Sequence, residues 1–384
     1  MTNNTSGHPF PYTSVLWSSI SSTLLFSTLI VSALALTSCS KSSDSGTAES
    51  FTDIEKDVVD NFVNNTAVPQ YTSLVAAGSA LNSDITNLNS NPTDANLQKA
   101  QQDWKAMRQV WERCEGFLIG PVEGNDYDPN SDTWPTDYHQ MDSLLTSGND
   151  LTTDDIEALD PTLRGYHPIE YLIFGKGGSR KTSELDDRKK KYLVSLTADL
   201  LNNNVLPLLT SWQGGSGYGN TVLTAGTGNA TYSSKKAFFL DIIGDNGMAG
   251  ICNEVGQQNN DGKIYNPYIN KDSSLAESPY SGNSLTDFKN NIIGAQQVYL
   301  GLNSGKGIKD LVAAKNKDLD NKIQAAFTAA INSFDNISGA DNMRFEVAIY
   351  DRRTQIAATL TALNTLQALL EDDLTTFIQT NIKD

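Results

Sequence analysis

His167 and Glu170 stand three residues apart in an otherwise apolar stretch, LRGYHPIEYLIFGKGG (163–178). On a helix, residues at this spacing share a face, with β-carbons about 5–6 Å apart, so an imidazole and a carboxylate can converge on one metal ion. The same four residues, HPIE, also spell a plain helix start. Pro168 suits a first turn, where its missing N–H costs nothing, which puts His167 near the N-cap and Glu170 near N3, a position favoured by the helix dipole. Two ligands do not make a site, so the metal reading needs at least one further carboxylate from another helix.

Little else in the chain competes for chemistry. Of three histidines, His8 lies in the apolar leader, leaving His139 and His167. There is no HExxH, no GxSxG and no phosphate-binding loop; in GLNSGKGI (301–308) the glycines are too close together. Any metal must therefore be held mainly by carboxylates, which favours iron or zinc over copper. The 45 acidic residues against 28 basic ones, a formal charge of −17, repel nucleic acid and anionic lipid.

The elements that must position such a site are helical. Apolar residues recur at three- and four-residue steps in 51–85, 94–120, 183–212 and 345–377, and no alternating strand pattern is evident. A shorter helix is expected near Trp134-Pro135. The 384 residues exceed one typical core. The expected architecture is all-α with two four-helix-bundle-like halves, 51–212 and 235–384. The Gly-, Ser- and Thr-rich stretch 213–234 would connect them, with or without a small hairpin.

The first 38 residues carry no Lys, Arg, Asp or Glu, and the apolar run ends in Leu36-Thr37-Ser38-Cys39 ahead of a polar tether, 39–50. This resembles a bacterial lipoprotein signal, with cleavage before Cys39 and lipid attached to it, and is preferred to a simple membrane-spanning anchor over Val15 to Leu36 because a span should not end in Leu-x-x-Cys and a polar tether. Lipidation leaves Cys114 and Cys252, which are either a disulfide or two buried thiols.

Four stretches together resemble the imelysin-like family. GYHPIEYLIFG matches its GxHxxE motif at Gly165, His167 and Glu170. WKAMRQVWERCEGFLIGPV matches a W-x3-R-x2-aromatic-x3-E-x-F helix with a Gly-Pro exit, at Trp104, Arg108, Trp111, Glu115, Phe117, Gly120 and Pro121. TWPTD matches a Trp-Pro-x-Asp at Trp134, Pro135 and Asp137, and ESPYSGNSLTDFKNNIIGAQQVYLG resembles a second-domain signature. The resemblance implies two helical bundles with the motif near their interface, in cell-envelope proteins classed with metallopeptidases and linked to iron uptake.

On that footing His167, Glu170 and Glu115 are the expected metal ligands, for a divalent iron or zinc ion. Arg108 orients a site carboxylate or is a surface cation, Asp137 serves the site or caps a helix, and Gly165 allows close backbone approach. His139 falls outside the pattern and belongs on the surface. The loop 277–284 is expected to cover the site. The function expected is binding of iron or an iron chelate for uptake, beside an envelope transport partner and held to the membrane by the lipid alone. The alternatives are a zinc metallopeptidase and a non-catalytic scaffold.

Overall fold

A computed structural model describes residues 49–257 and 261–383. The signal segment, Cys39 and nearly all of the tether lie outside the described residues. Among the described residues every regular element is helical, and no helix is long and apolar enough to cross a membrane.

The first long helix begins at Phe51, capped by Ser50 and Asp53 in a reciprocal box, and runs through a π turn, Phe62–Ala67, into Val68–Ser90. Asp94–Cys114 returns antiparallel to it, with Leu97, Ala100, Trp104, Met107 and Trp111 buried on one stripe. Asp187–Asp199 passes through a second π turn, Leu200–Val205, into Leu206–Trp212. The expected C-terminal helix is interrupted: Phe345–Asp351, Arg353–Ala368, a third π turn at Leu369–Leu374, and Thr375–Asn381.

The segment expected as a connection contains no strand. It folds into a helix, Tyr218–Leu223, with Tyr218 packed edge-on to Trp212 (5.0 Å) and Tyr232 against Phe238 (5.6 Å). Its aromatics, hidden among small polar residues, tie it into the core. The helices on either side of it belong to one compact unit, Glu49–Asp384.

What binds early and late helices together is a backbone contact. Ser284–Leu300 lies along Asp94–Cys114 and the 3-10 turn Glu115–Phe117 that follows it. A β-carbon on Gly116 would sit 2.5 Å from the backbone of Gly294 and Ala295, and one on Gly294 would sit 2.2 Å from the Arg113 carbonyl. Neither position has room for a side chain. Cys114 and Cys252 are both buried free thiols, which settles the cysteine alternative.

Candidate functional site

Asp94–Cys114 carries Trp104, Arg108, Trp111 and Glu112 on its buried face, and Glu115 opens the turn that ends it. Trp104 donates to the Tyr166 carbonyl (3.0 Å), fixing the start of the helix Tyr166–Phe174. The N-cap of that helix is Gly165, at φ +82°, where a β-carbon would lie 2.1 Å from the Ser131 carbonyl. Only glycine meets both demands. The expected register is thereby displaced: His167 is the second residue of the helix, Pro168 the third, and Glu170 lies beyond N3.

His167 and Glu170 are both fully buried. The imidazole Nε2 lies 3.1 Å from Asp132 Oδ1, at the end of the short helix Tyr127–Asp132. Its Nδ1 faces Glu170 Oε2 at 3.6 Å. The other Glu170 oxygen accepts from the Tyr280 and Ser281 backbone N–H groups (3.1 and 2.7 Å) and from the Ser281 hydroxyl (2.7 Å). The loop at 277–284 thus covers this residue. Glu170 stands behind the imidazole, as carboxylates do that orient a metal-ligating histidine, and it is absent from the ligand groups described next. One Glu170 oxygen is spent on the loop, and the other, Oε2, faces the imidazole without a hydrogen bond.

Two groups of side chains bring potential ligand atoms within 4.8 Å of one another: Asp132, His167 and Glu277, and Glu112, Glu115 and Asp132. Asp132 belongs to both. Trp111 Nε1 lies 2.9 Å from Glu115 Oε1 and 2.7 Å from Asp132 Oδ2, so Glu115 is joined to the histidine through Trp111 and Asp132. Asn291, from Ser284–Leu300, donates to Glu112 Oε2 (2.5 Å) and Glu115 Oε2 (2.6 Å).

Arg108 is fully buried, so it is no surface cation. Its guanidinium pairs with Glu112 and Asp132, approaches Glu277 (3.6 Å) and stacks over Tyr166 at 5.0 Å. Lys263 lies 2.9 Å from Glu277, 3.0 Å from Glu254 and 3.4 Å from Glu115. Asp137 is corrected: it is exposed, and its carboxylate accepts from the Gln140 N–H as the N-cap of Tyr138–Thr146, which begins later than expected. His139 is exposed as well.

The charges do not balance. Glu112, Glu115, Asp132, Glu170, Glu277 and Asp287 are buried or nearly so, against Arg108, Lys263 and the His167 imidazolium. Burial pushes the Glu112 and Glu115 carboxyls well above the usual range and Asp287 to about 6. Asp132 goes the other way: burial is overcome by Arg108 and His167, which hold it well below that range. Burial alone would lower the pKa of His167, but Asp132 and Glu170 raise it to about 9. Several polar atoms here make no hydrogen bond, including Glu170 Oε2, Glu277 Oε2 and Arg108 Nε.

A cavity of about 460 Å³ opens onto this cluster, lined among others by Glu115, Asp128, Asp132, Glu254, Lys263 and Glu277. Sequence reasoning missed Asp132, Glu277, Glu112 and Lys263. Glu112 was within reach, four residues after Arg108 on the same helical face, and Glu277 opens the ESPYSGNS stretch. Asp132 and Lys263 carry no signal beyond their type.

The Imelysin family model matches residues 67–370. Iron-regulated protein A of Synechococcus elongatus (strain ATCC 33912 / PCC 7942 / FACHB-805) is 30% identical over 254 residues, 65% of this chain and 66% of that protein. The match thus spans just under two thirds of that relative's length. Among crystal structures, an iron-regulated protein A precursor from Parabacteroides distasonis superposes with a TM-score of 0.77 at 24% identity, over 87% of this chain and 97% of that one. An imelysin-like protein from Psychrobacter arcticum does so with a TM-score of 0.66 at 13% identity, over 88% and 98%. At these identities the two structures establish the fold.

Proposed function

The chain belongs to the imelysin family, and on that premise we propose that it binds a divalent metal ion, iron by preference, through Asp132, His167 and Glu277, in the service of iron uptake at the cell envelope. One observation carries the reading. Ligand atoms from three separate elements converge within 4.8 Å, and Glu277 Oε2 is buried there without a hydrogen-bond partner. Buried polar groups are almost always paired, and an ion bound at 2.0–2.2 Å brings its ligands within roughly 4 Å of one another. An ion would also supply positive charge that the six carboxylates lack, and neutralise them at neutral pH without protons.

His167 Nε2, Asp132 and Glu277 would hold the ion, with Glu170 fixing the ring from behind and Arg108 holding the remaining charge. Three protein ligands leave positions for water or for the donor atoms of a chelate, reached through the cavity. The relative named as an iron-regulated protein supports iron over zinc. Lipid attachment at Cys39 would tether the site at a membrane, and an envelope transport protein would receive the ion.

The peptidase reading needs a free general base beside the ion. Glu115 takes donors from Trp111, Asn291 and Lys263, and Glu170 from the loop. Anaerobic calorimetric titration of the purified chain with Fe(II) and Zn(II), beside His167→Ala and Glu277→Gln, tests the proposal. Wild-type affinity in both variants would sink it.

A further inference from the structure

Two permanent cations sit among the carboxylates, and they are held very differently. Arg108 is 0% exposed and locked by paired acids and the Tyr166 ring. Lys263 has 16% of its side chain exposed and lines the mouth of the cavity together with Glu254 and Asp261. Its backbone is pinned: the Lys263 N–H donates to the Glu254 carbonyl (2.9 Å), and the next N–H, of Ile264, donates to Val255 (3.0 Å). The chain leaving the helix Met248–Gly256 is thereby folded back, and the lysine stem is rooted at the end of that helix. What remains free is a four-carbon arm ending in a compact ammonium group.

That ammonium shares Glu277 with the proposed metal site. It lies 2.9 Å from Glu277 Oε1, while Glu277 Oε2 is the unpartnered oxygen. It also reaches Glu115 at 3.4 Å and Glu254 at 3.0 Å. An ion on Glu277 would face a positive charge across one carboxylate, a repulsion worth a tenfold or larger change in equilibrium at the separations and effective dielectric of a partly buried site. Arg108 cannot yield. Lys263 can, because Glu254, 38% exposed at the rim, still holds the ammonium when it withdraws from Glu277.

Resting on the metal reading above, we infer that Lys263 is a tethered counter-ion that occupies the acidic site when no metal is present, competes with the incoming ion, and keeps the bound ion exchangeable. A protein that passes its ion on needs such a brake on affinity; one that stores it does not.

The test uses the full purified chain, with Fe(II) under anaerobic conditions as the probe. Equilibrium affinity and the rate of loss to an excess of a strong chelator are the readouts, and melting temperature is the control for folding. Lys263→Gln and Lys263→Met are expected to bind about tenfold more tightly and to release more slowly. Lys263→Arg, which keeps the charge and adds a fork of donors, is expected to bind no more tightly than wild type. Glu254→Gln, which removes the landing place and leaves the three ligands untouched, is expected to weaken binding. Unchanged or weaker binding in the neutral lysine variants, beside a wild type that binds, overturns this inference and leaves the metal site standing. If the lysine variants fail to fold, tighter binding by Glu254→Gln overturns it. A wild type that binds neither Fe(II) nor Zn(II) overturns both.

Discussion

Among the described residues two arginines, Arg108 and Arg164, are buried, and their surroundings differ in kind. Arg164 meets Asp199 through two parallel bonds (3.0 and 2.9 Å) and spends a third donor on the Glu157 carbonyl (2.7 Å), while Asn203 completes Asp199 (2.9 Å). One cation faces one anion, and neither side chain has a buried polar atom left over. Arg108 faces Glu112, Asp132 and Glu277, and its Nε as well as Glu277 Oε2 make no hydrogen bond. The first arrangement is complete and can only hold helices together. The second is over-supplied with acceptors, which is what a site for a further cation requires.

The largest effect should come from removing either arginine. Arg164→Ala and Arg108→Ala each leave a buried carboxylate uncompensated and should cost about 3–5 kcal/mol of stability, read by denaturant unfolding. The two should then part company. Divalent metal at a hundred times the wild-type Kd should stabilise wild type and Arg164→Ala alike by about 2.7 kcal/mol, and Arg108→Ala, whose freed carboxylates bind the ion more tightly, by more. Equal rescue beyond wild type in both variants would erase the distinction.

The next effect concerns pH in the metal-free protein. Glu112, Glu115 and Asp287 have carboxyl pKa values raised by burial, so the folded state binds more protons than the unfolded one, and stability falls as pH rises above about 4.5. His167, raised to about 9, acts in the same direction at higher pH: its contribution is full below about 6.5 and lost as pH climbs through 9. Asp132, held low, opposes them only in strong acid. Melting temperature should therefore be higher at pH 5 than at pH 8, and added metal should flatten the slope. A metal-free protein most stable at pH 8 would contradict this account.

Glu112→Gln sharpens the contrast on a smaller scale. It removes one excess charge and keeps the shape, so it should raise stability by about 1 kcal/mol at pH 7.5 while weakening metal binding. Smallest is Asp137→Ala, which loses a helix cap at a cost of about 1 kcal/mol or less and should leave metal affinity untouched, read by titration. A tenfold loss of affinity there would return Asp137 to the site.

The helical class was legible in the sequence because apolar periodicity over long segments is the strongest local signal available, and the 94–114 stripe shows it plainly. His167 was legible by scarcity and Glu170 by spacing. The role of Glu170 was not, since which carboxylate oxygen stays free depends on a loop more than a hundred residues away. Asp132 ends a six-residue helix and Glu277 begins a loop; neither belongs to a periodic pattern, and only tertiary folding makes them neighbours of an imidazole. The helix at Tyr218–Leu223 was missed because its anchors, Tyr218 and Tyr232, are isolated in a composition that elsewhere means turn.

The paired glycines Gly116 and Gly294 have a bearing on selectivity. With no side chains between them, backbone meets backbone, and the spacing of the two helices is fixed by atoms that cannot change rotamer. Asn291, one turn before Gly294, holds Glu112 and Glu115 together from across that joint. The placing of Glu112 and Glu115, which neighbour the proposed ligand Asp132, is thus set by main-chain thickness rather than by adaptable side chains, so the proposed site should sort ions of equal charge by radius. An alanine at either glycine would have to force the two backbones apart, and Glu112 and Glu115 with them.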